Sequence, residues 1–187
     1  MRLLHATACA LVALGSFSCA STGASNPAIE SMQEGQVPPA PQHILLQKAV
    51  GEYAGTVTVT LLDGTEQTSE ATEKVTSLGP YWIKSEFRMD MGEKGVYEGH
   101  GCYGYDVASG KYVGTWIDSS SSNLAQMEGD MDLASRTMVM NWMGPDGKGA
   151  MVKHRSESEQ SMGSYKRTFF TSDMKTMEVS MYCTGVH

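Results

Sequence analysis

Alternation of apolar and polar residues with a period of two is the feature that most constrains how this chain folds. In the first such segment, apolar and polar positions alternate as follows: Tyr53, Val57, Val59 and Leu61 against Glu52, Thr56, Thr58 and Thr60. This period is typical of a strand with one buried face. Comparable segments recur at 68–78, 81–89, in both arms of a hairpin between Tyr97 and Ser122, and at 124–130, 137–143, 150–157, 164–170 and 176–183. Turn residues separate them, which predicts an antiparallel up-and-down meander of about ten strands.

The hairpin between Tyr97 and Ser122 indicates that this sheet is strongly curved. Glycines stand at 99, 101, 104 and 114 inside its predicted strands. Glycine within a strand usually marks a bulge, a bend or the close approach of another group. We therefore predict an all-β fold, a closed barrel with room for a ligand inside. The only helical pattern in the globular part is Ile44–Val50, which follows Pro41 and would cover one end of the barrel.

The first twenty residues have the pattern of a secretory signal. Arg2 and His5 precede the apolar run 6–14, and small residues follow at 16, 18 and 20. Two outcomes stay open: cleavage after Ala20, or lipid attachment at Cys19 in a degenerate lipobox that lacks the usual Leu. Residues 21–42 are rich in Ala, Ser, Gly, Gln and Pro and are predicted to form a flexible linker before a barrel domain at 43–187. We expect an exported protein, either periplasmic or tethered to the cell-envelope membrane through Cys19.

The net charge of the chain limits which molecules it can bind. The formal net charge is −7, with 21 acidic and 14 basic residues and no long basic cluster, so nucleic acid is excluded as a partner.

The mature domain keeps two cysteines, Cys102 and Cys183. In an oxidising compartment they either pair in a disulfide or remain free thiols.

Several segments together resemble a known family. They are Glu98-Gly99, Gly104-Tyr105-Asp106, the run Lys111-Tyr112-Val113-Gly114-Thr115-Trp116-Ile117-Asp118-Ser119, and Met177-Glu178-Val179. Over residues 45–183 the chain is similar to the bacterial domain of unknown function 1579 family. The resemblance implies a lipocalin-like β-barrel and no specific activity. The passage from Leu46 to Gly55 also resembles the start of calycin barrels, although Tyr53 stands where those folds usually have Trp.

Candidate site residues follow from strand alternation. Trp116 and Asp118 share one strand face with Tyr112 and Gly114. If that face points inward, Asp118 and an arginine, Arg155 or Arg167, form either a structural ion pair or the polar end of a ligand site. Methionines such as Met140 are expected to line the cavity, because thioethers adapt to irregular apolar surfaces. The predicted ligand-binding set is Tyr97, Trp116, Asp118, Met140, Trp142 and Arg155.

Binding of a small apolar or amphipathic molecule, such as a lipid, is the leading functional hypothesis. The alternatives are an enzyme with Asp118 or Glu178 as general base and an envelope structural module without a ligand. No metal or cofactor is predicted, because His100 and His154 are isolated and form no metal-binding motif. The oligomeric state stays open.

Overall fold

The computed structural model describes residues 37–146, 148–161, 163–170 and 176–185. The predicted signal segment at 1–20, with the lipidation candidate Cys19, and residues 21–36 of the predicted linker lie outside these ranges. Within them the chain forms one short helix and ten strands. In order they are α1 (Pro41–Gln47), β1 (Gly51–Thr60), β2 (Glu66–Leu78), β3 (Trp82–Asp90), β4 (Val96–Asp106), β5 (Lys111–Asp118), β6 (Ser121–Asp132), β7 (Thr137–Pro145), β8 (Met151–Ser161), β9 (Ser164–Phe170) and β10 (Thr176–Gly185). A 3-10 turn at Gly92–Lys94 lies between β3 and β4.

The ten strands close into a single barrel. Each strand pairs antiparallel with its neighbours in sequence, and β1 pairs with β10 to complete the ring, with Val57 opposite Val179. Closure gives every described strand two hydrogen-bonded neighbours and removes the open edges that a flat sheet would expose. The predicted all-β up-and-down barrel with a short N-terminal helix is confirmed.

Two boundaries differ from the sequence-based prediction. Helix α1 begins at Pro41, inside the predicted linker, because proline is well suited to the first helical position, where no backbone N–H is needed. Strands β5 and β6 are joined by Ser119 and Ser120 alone, whereas a loop was predicted over 119–122.

Alternation separates an interior from an exterior face, as predicted. In β3, Ile83, Ser85 and Phe87 are buried while their even-numbered neighbours are exposed. The inward residues of β1, β2 and β10 form the main apolar cluster with Phe87, and Val57 and Met181 are its most deeply buried members. One face of each strand therefore builds the interior.

Helix α1 covers the end of the barrel where β1 begins, which we call the helix end. Leu46 is buried against Val75 and Ile83. His43 is also buried; its Nδ1 accepts from the Ala40 N–H at 2.9 Å, so its Nε2 carries the proton and donates to the Tyr105 carbonyl at 2.9 Å. These contacts fix the helix to the strands. The opposite end, formed by the hairpins β1–β2, β3–β4, β5–β6 and β7–β8, is the mouth.

Cys102 and Cys183 are both free thiols, so the disulfide interpretation is wrong. Cys102 lies on β4 between the exposed Lys84 and Thr115, on the outer face. Cys183 lies two residues after the buried Met181 on β10, on the inner face. Along the shorter path around the barrel, β4 and β10 are separated by β1, β2 and β3. A disulfide requires Cα atoms within about 7 Å, which strands spaced at about 4.8 Å do not allow across four steps.

Close contacts between neighbouring strands require glycine at some positions. A Cβ at Gly129 would lie 1.8 Å from the Val139 carbonyl oxygen of the adjacent strand. We expect Gly129→Ala to lower the free energy of unfolding by about 1–3 kcal/mol, because the sheet must shift to make room. Urea-induced unfolding followed by circular dichroism measures the change.

Gly185→Ala is the matched control, because a Cβ there would meet nothing within 4 Å. Equal stability of the two variants would contradict the proposed steric constraint at Gly129.

Candidate ligand-binding cavity

The barrel encloses a cavity of about 420 Å³. That volume is within the range of about 300–1,000 Å³ typical of small-molecule sites. The cavity extends from Leu46 and Ala49 beneath α1 to Asp118, Ser121 and Pro145 at the mouth. One end is therefore covered by a helix, and the other is bordered by hairpins.

Five of the six predicted ligand-binding residues line this cavity. They are Tyr97, Trp116, Asp118, Met140 and Trp142. Arg155 does not: it is exposed and donates from Nε to Glu157 at 2.9 Å. On β8 the buried residues are the even-numbered His154, Ser156 and Ser158, so the alternation directs Arg155 outward. The prediction that Arg155 belongs to the site is wrong.

Trp116 lies across a glycine-lined part of the barrel wall. Its Nε1 donates to the Tyr97 hydroxyl at 3.2 Å. A Cβ at Gly99 would be 2.1 Å from the Trp116 ring, and one at Gly101 would be 2.5 Å from the Tyr103 ring. The glycines that indicated a close approach in the sequence therefore allow two aromatic rings to lie directly against the backbone of β4.

Methionine and aromatic side chains dominate the rest of the lining. Trp142 stacks on His154 with ring centroids 5.4 Å apart and contacts the edge of Phe169 at 6.3 Å. The methionines that line the cavity are Met89, Met127, Met138, Met140 and Met177. Such a surface is apolar, and the flexible thioethers let it adapt to ligands of different shape.

Neither carboxylate proposed as a general base is buried with an arginine. Asp118 accepts hydrogen bonds at the mouth from the Ser120 N–H at 2.9 Å and the Ser120 hydroxyl at 2.6 Å. Glu178 forms an ion pair with Lys166 at 2.7 Å, away from the cavity lining. Among the described residues, no ion pair joins Asp118 to an arginine, so the predicted pairing is wrong.

The buried carboxylate is Glu73, which sequence reasoning missed. Its side chain is only 3% exposed, and its two oxygens accept hydrogen bonds from Ser85 and from Tyr165. The signal in the sequence was its place between Ala71 and Val75, which alternation directs inward. Its partner Ser85 is on the adjacent strand β3, whereas Tyr165 is on β9 and only the closed barrel brings it to Glu73.

Arg167 is the arginine of the interior. Its Nε donates to the Ser158 hydroxyl at 2.8 Å, and its Cζ lies 5.0 Å from the centroid of the Tyr165 ring. Burial lowers the pKa of Arg167, but Tyr165, Glu73 and Tyr103 together raise it by more, so the guanidinium stays charged. This arrangement places a cation in the wall of an otherwise apolar cavity.

The interior tyrosines are neutral hydrogen-bonding groups at ordinary pH. Burial raises the pKa of Tyr103 to about 12, although the charge of Arg167 acts in the opposite direction. Burial likewise raises the pKa of Tyr97 and of Tyr165. Each phenol can therefore donate a proton to a hydrogen bond inside the cavity.

Sequence comparison identifies the family to which this barrel belongs. Residues 38–182 match the family described as "Protein of unknown function (DUF1579)". The chain belongs to this family. The match begins just before α1 and ends within β10, so the DUF1579 unit contains the helix, the wall and the cavity. No curated protein is significantly similar in sequence to this chain.

Two further features of this DUF1579 barrel bear on its site. No group of three or more His, Cys, Asp or Glu side chains that could hold a metal ion occurs within the described ranges. In the same part of the chain, no helix is long and apolar enough to cross a membrane.

Alkaline pH tests the burial of the interior tyrosines. The folded-state pKa of Tyr103, about 12, is above the ordinary value of a tyrosine, about 10. The folded state therefore keeps a proton that the unfolded chain releases, and this stabilising contribution is complete below about pH 10 and lost as pH rises toward 12. Urea unfolding between pH 8 and pH 12 should show that decline.

Tyr103→Phe removes the titrating group, so we expect a shallower decline in this variant. Tyr182→Phe, at a phenol that is 66% exposed, is the control. The burial argument fails if the two variants lose stability with the same dependence on pH.

Proposed function

We propose that this protein is an exported barrel that binds one small amphipathic molecule in its interior. The observation that carries the proposal is a cavity of about 420 Å³, lined by methionine and aromatic side chains, with a few buried polar groups in its wall. Sites for small molecules commonly combine a concave apolar surface with a few fixed polar groups. Export follows from the secretory pattern at residues 1–20.

The distribution of polar groups supports an amphipathic ligand over a purely apolar one. Glu73, Tyr103, Tyr165 and Arg167 belong to the interior of the half nearer the helix end, because Tyr165 and Arg167 are the second and fourth residues of β9, which starts there. Met89, Tyr97 and Met177 lie within two residues of the strand ends at the mouth, next to a polar rim that includes Asp118, Ser120 and Ser121. A ligand with one polar end in the deep half would match the position of the buried polar groups.

The cavity also supports ligand binding over a purely structural role. A structural module without a ligand was expected to have an interior filled by side chains. An empty apolar cavity forgoes packing contacts and destabilises a protein in proportion to its volume. A ligand that restores those contacts stabilises the folded state.

Displacement of a neutral fluorescent probe tests the proposal. N-phenylnaphthylamine should bind to the purified barrel domain and be displaced by dodecanoate. Ala125→Phe and Ser156→Phe, at buried positions on β6 and β8, add a ring to the cavity and should weaken probe binding by about tenfold or more, because each excludes at least two methylene groups of ligand.

Gln126→Phe is the matched control, because Gln126 is the exposed neighbour of Ala125 on the same strand. Circular dichroism and thermal unfolding identify variants that keep the fold. Interior binding is refuted if the folded wild-type protein does not bind the probe, or if folded filling variants bind it as tightly as the control does.

A further inference from the structure

Arg167 is half-buried and makes fewer hydrogen bonds to protein than a guanidinium inside a barrel normally does. Of its nitrogens, only Nε has a hydrogen bond to a protein atom within the described ranges, to Ser158. The same residues contain no ion pair between Arg167 and a carboxylate: Glu73 is near enough to raise its pKa, but it does not form one. A charge in an apolar interior is costly unless it is paired and hydrogen-bonded.

The oxygens of Glu73 are already engaged by other groups. Ser85 donates to one and Tyr165 to the other, across the barrel from β9. The ring face of Tyr165 lies against the guanidinium of Arg167, and the Ser158 hydroxyl on β8 accepts a hydrogen bond from the Arg167 Nε. Two contacts thus orient the guanidinium plane, while Nη1 and Nη2 have no hydrogen bond to protein within the described ranges and Arg167 lines the cavity.

We infer that Arg167 binds the carboxylate of an amphipathic ligand inside the barrel, with the apolar tail of the ligand directed toward the mouth. This inference rests on the proposed function and names the ligand class. A planar guanidinium whose two NH2 groups, Nη1 and Nη2, make no hydrogen bond to protein within the described ranges matches a carboxylate in bidentate geometry. Tyr103 lines the same cavity and lies near enough for Arg167 to lower its pKa, so its hydroxyl is a second donor for this head group.

The charges near Arg167 favour a monoanion. The Glu73 carboxylate is near enough to raise the pKa of Arg167 and so already offsets part of the guanidinium charge, which makes each additional negative charge on a ligand less favourable. A carboxylate fits this condition better than a phosphate monoester, which carries between one and two negative charges near neutral pH.

Competition among ligands with the same tail and different heads tests the inference. Dodecanoate, dodecanol, dodecylamine and dodecyl phosphate are each titrated against N-phenylnaphthylamine bound to the wild-type protein. Hydrogen bonds between charged groups are strong, so we expect dodecanoate to bind about tenfold to a hundredfold more tightly than dodecanol. Preference for dodecanol, dodecylamine or dodecyl phosphate, or equal binding of dodecanoate and dodecanol, would overturn the assignment.

Arginine variants locate the head group. Arg167→Gln should remove the preference for dodecanoate over dodecanol. Arg167→Lys should retain part of this preference, because lysine keeps the positive charge but cannot form the bidentate contact. Arg155→Gln, at the arginine on the outer face, is the control and should leave the preference unchanged. A preference that survives in folded Arg167→Gln would overturn the inference.

A measurement on the wild-type protein avoids dependence on how the variants fold. Carbon NMR of carboxyl-labelled dodecanoate should show that its carboxyl titrates at lower pH when bound than when free, because the adjacent guanidinium favours the charged form. If the pKa of the bound carboxyl is the same as that of the free ligand, or higher, the result counts against the contact with Arg167. If the neutral probe binds and no head group is preferred, only this inference fails; if no probe or amphiphile binds, the proposed function fails with it.

Discussion

Closure of the sheet by the pairing of β1 with β10 is the constraint on which the rest of the structure depends. It gives the barrel a defined inside and satisfies the backbone groups of both terminal strands. Once the ring is closed, strand alternation decides which side chains meet across the interior. Residues far apart in sequence, such as Glu73 and Tyr165, become hydrogen-bonded partners for this reason.

Closure leaves a volume that this sequence does not fill with side chains. The inward residues of β1, β2 and β10 pack around Val57 and Met181, and between them and the opposite wall lies a cavity that is also lined by Trp116, Trp142 and the methionines. Within that space stands a charged guanidinium with unused donors. Apolar volume and an incompletely satisfied cation both disfavour an empty interior, and one ligand would relieve both.

The period-two pattern predicted the strands well because the alternation of apolar and polar residues can be read within each short segment, without residues that are distant in the sequence. It predicted Trp116 and Asp118 as cavity residues because the β5 face that they share carries two large aromatic groups, Tyr112 and Trp116. It misplaced Arg155 because β8 has one apolar residue on each face, Met151 and Val152, and is otherwise polar, so the pattern does not indicate which side is buried. The importance of Glu73 and the separation of Cys102 from Cys183 depend on strand order and facing, which become known only when the barrel is closed.

The most direct test of this account is a crystal structure of the protein grown with dodecanoate. The account predicts one ligand chain inside the barrel, with its carboxylate at hydrogen-bond distance from the Arg167 Nη atoms and its tail toward Trp116 and Met177. Ligand bound only on the outer surface, or an interior in which rearranged side chains leave no space for it, would contradict the central claim.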